Sequence, residues 1–378
     1  MRRGTKIQKL KQALPGIVKD VRHYAKPRVK LHNEGLGDYY TEGYRSLNQR
    51  EWKGVRDTAY DFASWLKVYG YMAVTLGKHP VALTKSFVRY PWMASYLTVA
   101  NMLDRHKLGL RGKQLRYTQE QFYGVVHNSV DVIAKIIERD ENLNSPNNKR
   151  AAKLRAKTVM FDEMTPSIIM AGFPMLDWID IAMSPVCLPG EVDQNANIMY
   201  VDAAERMGLA ADVCPLPSAE VGCAIVDDYP QVGSSFITSS MPCDGSLGAA
   251  LFMDRYMKKL PSFTLTPPQR FNEPETNAYA VKDLKNCIRF IEETYDVKWD
   301  WDAFWKKAEE YNKTTQCMLD KWDVNCTPYP QVIGSALSLQ REYEFQTAAC
   351  LDSFMTKQDE KVTKMMLKGY EEDREADR

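Results

Sequence analysis

Three short runs most constrain the fold of this chain. KTVMF (157–161), SSFITSS (234–240) and PSFTLTPP (261–268) are short, five to eight residues, and rich in β-branched or aromatic residues. Between and after them lie stretches with helical spacing, around Val201–Met207, Leu247–Leu260 and Asn277–Tyr295. Strands alternating with helices predict an α/β domain built on a parallel, Rossmann- or flavodoxin-like sheet. Phe236–Thr238 and Phe263–Leu265 are expected as adjacent or near-adjacent strands. In such sheets the reactive crevice lies beyond the carboxyl ends of the strands.

On this pattern the chain divides into residues 1–155, a helical N-terminal extension; 156–270, the α/β domain; and 271–378, a helical C-terminal segment. In the first part, Gln49–Leu76 has helical spacing, and Thr118–Gln121 reads as a capping box ahead of FYGVVHNSVDVIAKII. The aromatic stripe Tyr60, Phe62, Trp65, Tyr69 and Tyr71 reads as core. DENLNSPNNKR (140–150) reads as a linker. In the last part, Asp302–Trp322 and Gln331–Met355 are candidate long helices, and KGYEEDREADR reads as a solvated tail.

A net charge of +1 gives no electrostatic case for a nucleic-acid partner. The longest uncharged runs are too short and too polar to span a bilayer. The basic N-terminus lacks the apolar centre of a signal peptide. The expectation is a cytoplasmic protein.

The eight cysteines, Cys187, Cys214, Cys223, Cys243, Cys287, Cys317, Cys326 and Cys350, include no C-x-x-C pair. All five histidines precede the first of them. Zinc ribbons, thioredoxin-type sites and a local Cys/His nucleophile are therefore disfavoured. Two cysteines stand out by position. Cys214, in ADVCPLPSAEVG, and Cys243, in SSMPCDGS, both precede helix N-termini, where backbone N–H groups and the helix dipole favour the thiolate. Thiolates so placed suit soft metals, above all iron–sulfur clusters. Spacing alone nevertheless favours the plainer reading of any single cysteine as a small buried apolar residue.

VDAAERMGLAADVCPLPSAEVG followed by SSFITSSMPCDG resembles the 2-hydroxyacyl-CoA dehydratase / benzoyl-CoA reductase family, in the manner of a 2-hydroxyglutaryl-CoA dehydratase D-component. The resemblance extends over roughly residues 157–355. It takes in MTPSIIMAGFPMLDWIDI, similar to a substrate-side loop leading into a helix, and the helical connector with its W-D-x-x-x-F turn. It implies that Cys214 and Cys243 ligate a [4Fe–4S] cluster, with Cys187 a further candidate ligand. Asp244 and Gly245 would close the second turn, Gly245 allowing close backbone approach. Ser184 is a candidate for a hydrogen bond near the cluster, against the plainer role of a helix or turn cap. The implied activity is loss of water from an (R)-2-hydroxyacyl-CoA through a ketyl radical. Implied partners are a second dehydratase subunit and an ATP-dependent iron–sulfur activator protein.

The family places a third cluster cysteine in a C-terminal α/β domain, and the sequence is expected to stop short of that domain. The cysteine pair is then expected at an open surface rimmed by apolar residues. Alternatives are a ring-reducing subunit of the benzoyl-CoA reductase type and a non-catalytic structural partner. A cluster-free flavodoxin-like protein ranks last, because no phosphate-cradling loop follows TVMF. One cluster requires the Cys214 and Cys243 sulfurs on the order of 6–7 Å apart. Cys287 and Cys317, on helices, are expected to be ordinary and distant from them.

Overall fold

The computed structural model describes residues 55–103, 112–162, 167–192, 196–212, 214–240, 245, 248, 260–268, 273–332, 336–337, 339–340, 343–344 and 353–376. They fall into two compact units. One holds Thr75–Met93 and Ser129–Glu310; the other holds the described parts of Gly4–Val74, Ala94–Asn128 and Tyr311–Arg378.

The order of elements begins with α1 (Val55–Leu76), α2 (Pro80–Arg89), a 3-10 stretch (Pro91–Leu103), α3 (Gly112–Arg139) and α4 (Lys149–Arg155). There follow β1 (Thr158–Phe161), a 3-10 turn (Ser167–Gly172), β2 (Asp177–Asp180) and a π-turn (Met183–Cys187) running into α5 (Leu188–Val192). The chain continues through α6 (Ile198–Arg206), α7 (Pro215–Ile225), β3 (Ser235–Ser239), β4 (Ser262–Leu265), α8 (Pro274–Tyr295), α9 (Trp301–Asn325) and α10 (Ser353–Ala376).

The first unit contains the sheet. Its four strands are all parallel, in the order β2-β1-β3-β4. The two expected strands are neighbours, with Ile237 opposite Phe263. The central strands read as continuous apolar runs because both faces are covered. On one face Val159, Phe161, Ile237 and Leu265 pack with Cys287 and Ile291 of α8. On the other, Phe236 meets the ring of Tyr229 edge-on at 6.2 Å.

The fourth strand lies in the segment expected as a loop leading into a helix: Asp177–Asp180 is the edge strand β2, ahead of the π-turn and α5. Its two aspartates hide the strand signal. Asp177 is neutralised from α3 by Lys135 at 3.1 Å and by Arg139, which the buried Thr158 hydroxyl also engages. The segment 140–150 is not a loose linker. Buried Asp140 accepts from the Tyr90 hydroxyl and from the backbone N–H groups of Asn142 and Gln231, both at 3.2 Å.

The second unit is helical. Thr118 does not cap a helix, since α3 begins six residues earlier at Gly112 and the Thr118 hydroxyl bonds back to the Gln114 carbonyl at 2.9 Å. The aromatic stripe of α1 is not core: Phe62 is 64% exposed, whereas Val68 and Met72 of the same helix are buried. Glu120 gathers Lys67 (3.0 Å), Lys361 (2.7 Å) and the Gln358 amide (2.9 Å). Buried Lys321 lies 2.5 Å from buried Asp359. His127 stacks between Tyr71 and Phe354. The expected solvated tail instead forms the last turns of α10, where Lys113 reaches the Gly369 carbonyl at 3.0 Å. Most of Gln331–Met355 lies outside the described residues.

Candidate functional site

The strand order locates the crevice. From β1 the chain crosses to β2 on one side and later to β3 on the other, so the direction of winding reverses between β1 and β3. At such a switch point the loops leave the carboxyl ends in opposite directions and open a crevice. Asp162 stands at the end of β1, and Ser239 and Ser240 at the end of β3.

This edge is held by a definite set of bonds. The Asp162 N–H donates to the Ile237 carbonyl at 3.2 Å, continuing the ladder. The buried Asp162 carboxylate accepts the Ser239 N–H at 3.2 Å. Ser240 donates to the Leu265 carbonyl of β4 at 2.8 Å, and the Thr238 and Thr264 hydroxyls are 3.0 Å apart. The last residues of β3 are thus fixed from both flanks.

Helix α7 brings the first cysteine motif. Cys214 is its N-cap, with Pro215 supplying the pre-set φ of a first helical residue. The Cys214 carbonyl accepts from the Ser218 hydroxyl at 2.9 Å. Its thiol makes no capping bond and is exposed. Glu220, buried in the middle of α7, accepts from the Tyr229 hydroxyl at 2.8 Å. Burial, then the charge of Glu220, and after it those of Asp162 and Asp180, push the Tyr229 hydroxyl well above its ordinary pKa.

The other residues expected in the site are distributed as follows. Cys187 closes the π-turn and is buried, 6% exposed, with its N–H on the Ala182 carbonyl at 3.3 Å. Ser184 lies in the same turn. Gly245 is helical and buried. Cys243 and Asp244 lie outside the described residues, and so does the expected separation of the two sulfurs. Cys287 is ordinary, as expected: it is buried in the sheet core, where burial and then Asp283 push its thiol up to about 12. Cys317 is half-buried on α9.

An iron–sulfur cluster needs thiolates that the metal can reach. Cys214 fits by exposure, by its helix-terminal position and by its lack of a side-chain capping bond. Among the described residues no group of three or more His, Cys, Asp and Glu side chains is placed to hold a metal. No helix among them is long and apolar enough to cross a membrane.

Three residues described above carry no motif signal of their own: Asp162, Glu220 and Tyr229. Only Glu220 sits within a quoted motif, CPLPSAEVG, and there it reads as an ordinary helix residue. No curated protein matches the chain. Residues 192–365 match the family model described as 2-hydroxyglutaryl-CoA dehydratase, D-component, the same family that the paired cysteine motifs resemble.

Proposed function

We propose that this chain is a component of an iron–sulfur 2-hydroxyacyl-CoA dehydratase, acting on an acyl-CoA with a second subunit and an ATP-dependent activator in the cytoplasm. The family match supports the dehydratase component. The observation that carries the finer reading is the exposed thiol of Cys214 at the N-cap of α7.

In this reading Cys214 and Cys243 hold a [4Fe–4S] group, with Cys187 as a further candidate. Bound there, the group would supply a low-potential electron and a Lewis-acidic iron for a thioester carbonyl. The rest is done by the chain itself. Cys214 stands at the N-terminus of α7, its side chain making no capping bond. The sheet edge supplies a rigid rim through Asp162, Ser239, Ser240 and Leu265. Asp244, Gly245 and Ser184 are the further residues that this reading assigns to the site.

The test is anaerobic reconstitution of the full chain, alone and co-expressed with a candidate partner subunit. The reading expects about four iron and four sulfide per chain, as one such cluster requires, and loss of both in Cys214→Ala and Cys243→Ala. An iron-free chain under both conditions, unchanged by either substitution, makes the protein a non-catalytic partner. Ring reduction without dehydration by the loaded complex makes it a subunit of the benzoyl-CoA reductase type.

A further inference from the structure

We propose that Lys321, Glu344 and Asp359 form a proton-held latch in the helical unit: α10 is fully docked on α9 only while Asp359 carries a proton. The device is independent of the cluster reading.

Lys321 of α9 and Asp359 of α10 are wholly buried, and Glu344 is buried beside them. The Lys321 ammonium lies 2.5 Å from Asp359 Oδ1 and 3.5 Å from Glu344 Oε1. One lysine thus meets two carboxylates. With all three ionised, a net negative charge would sit out of water, which is costly. A neutral lysine would leave two such charges, whereas one added proton on a carboxyl makes the cluster neutral. The hydrogen bonds decide which carboxyl takes it. Glu344 accepts from Trp322 Nε1 at 2.8 Å and from Gln340 Nε2 at 3.1 Å, besides the lysine. Three donors favour its charged form. Asp359 has the lysine on Oδ1, while its buried Oδ2 meets no donor among the described residues. An unpartnered neutral hydroxyl costs less to bury than half of an unpartnered charge, so the proton belongs on Asp359 Oδ2.

The surroundings support that assignment. Burial pushes the Asp359 carboxyl up, Lys321 opposes, and Glu344 and Glu360 push the same way as burial. Cys317, on α9 one turn before Lys321, has its thiol raised by burial and then by Asp359. The other charged contacts of α10 already hold ionised carboxylates: Glu120 of α3 with Lys361, and Asp373 with Lys113. His127 of α3 stacks on Phe354, at the first turn of α10. A carboxyl raised on folding contributes stability that is fully present below its unfolded value, about 3.9, and is lost as pH rises through the folded value. Rising pH should therefore loosen α10, the opposite of what ionising an ordinary salt-bridged aspartate does.

The experiment is amide hydrogen exchange of the full chain from about pH 4.5 to pH 8, read peptide by peptide by mass spectrometry and corrected for the intrinsic pH dependence of exchange. Protection of α10 should fall by up to about tenfold per pH unit, the slope of one released proton, until Asp359 is ionised. Asp359→Asn keeps an oxygen for Lys321 and cannot ionise, so it should flatten the slope while leaving His127, Glu120 and Asp373 as they are. Should that variant not fold, Glu344→Gln gives a second route: Lys321 and an ionised Asp359 are then a neutral pair, and the slope should again vanish. Protection of α10 that does not change with pH in the native chain overturns the proposal. So does a slope that survives Asp359→Asn and disappears in Lys321→Met, because the proton then leaves the lysine. An equal slope in the β1 and α8 peptides reports general unfolding and likewise overturns the latch.

Discussion

A Cβ atom built on Gly222 would lie 1.7 Å from the carbonyl oxygen of Tyr200. Helices α6 and α7 thus touch backbone to backbone at the glycine of CPLPSAEVG, and the helix that carries Cys214 has no freedom to move closer. Gly222→Ala should force the two helices apart. The expected loss is about 3 kcal/mol, the upper end for overpacking a tight contact. Urea denaturation checks it; a change below about 0.5 kcal/mol, normal for surface sites, refutes the contact.

Asp140 makes the stability of the first unit depend on pH with an unusual sign. Burial dominates, and against the opposing bonds from Tyr90, Asn142 and Gln231 it raises the carboxyl to about 6. The folded chain then binds a proton that the unfolded chain has released. Stability is fully present below the unfolded value near 4 and falls as pH rises toward 6. Asp140→Asn keeps the acceptor for Tyr90 and should flatten that slope in denaturant titrations run from pH 4 to pH 7.

Glu120 works in the opposite direction. Burial pushes its carboxyl up, but hydrogen bonds from Lys361 and Gln358 together with Lys67 outweigh burial and bring it down to about 2. Its contribution is present above about 4.5 and is lost as pH falls toward 2. Glu120→Gln should lower stability at pH 7 by about 2 kcal/mol, after allowance for partial screening, and should make the acid transition shallower. An unchanged acid limb refutes the assignment.

The cysteines should sort by exposure. Iodoacetamide should label Cys214 and Cys326 rapidly in the native chain, because both are exposed, and should leave Cys223 and Cys287 unlabelled until unfolding. Cys287 carries a second barrier, its thiol held near 12 by burial. Labelling of Cys287 at the rate of Cys214 would contradict the packing of α8 on the sheet.

The parts of the fold legible in the sequence are those where one force decides. TVMF and SFITS are the central, fully buried strands, and buried parallel strands need continuous apolar or β-branched residues; SFTL, at the edge, is half-buried and keeps the β-branched and aromatic signal. The cysteine motif was legible because Cys-Pro marks a helix start. Asp177–Asp180 was hidden because cations on another element neutralise its carboxylate, and that pairing is visible only in three dimensions. Thr118 was misread because a capping box and a mid-helix Thr bonded back one turn present the same residues. Phe62 was misread because a helical aromatic stripe does not say which face is covered. Asp162 was invisible, since nothing local distinguishes a solvated aspartate after a strand from one that replaces a ladder carbonyl.

The sequence separation of 77 between Asp162 and Ser239 bears on how the protein is made. Synthesis completes β1 and its neighbour β2 long before β3 leaves the ribosome, so one flank of the central strand waits as an open edge, with apolar side chains on either side of it. Such an edge is a template for mispairing with other nascent chains, and long-range parallel pairing is slow to close it. The crevice at the switch point therefore cannot form until β3 has been made. Crowded or heat-stressed translation should injure this protein at that step before it weakens the finished fold.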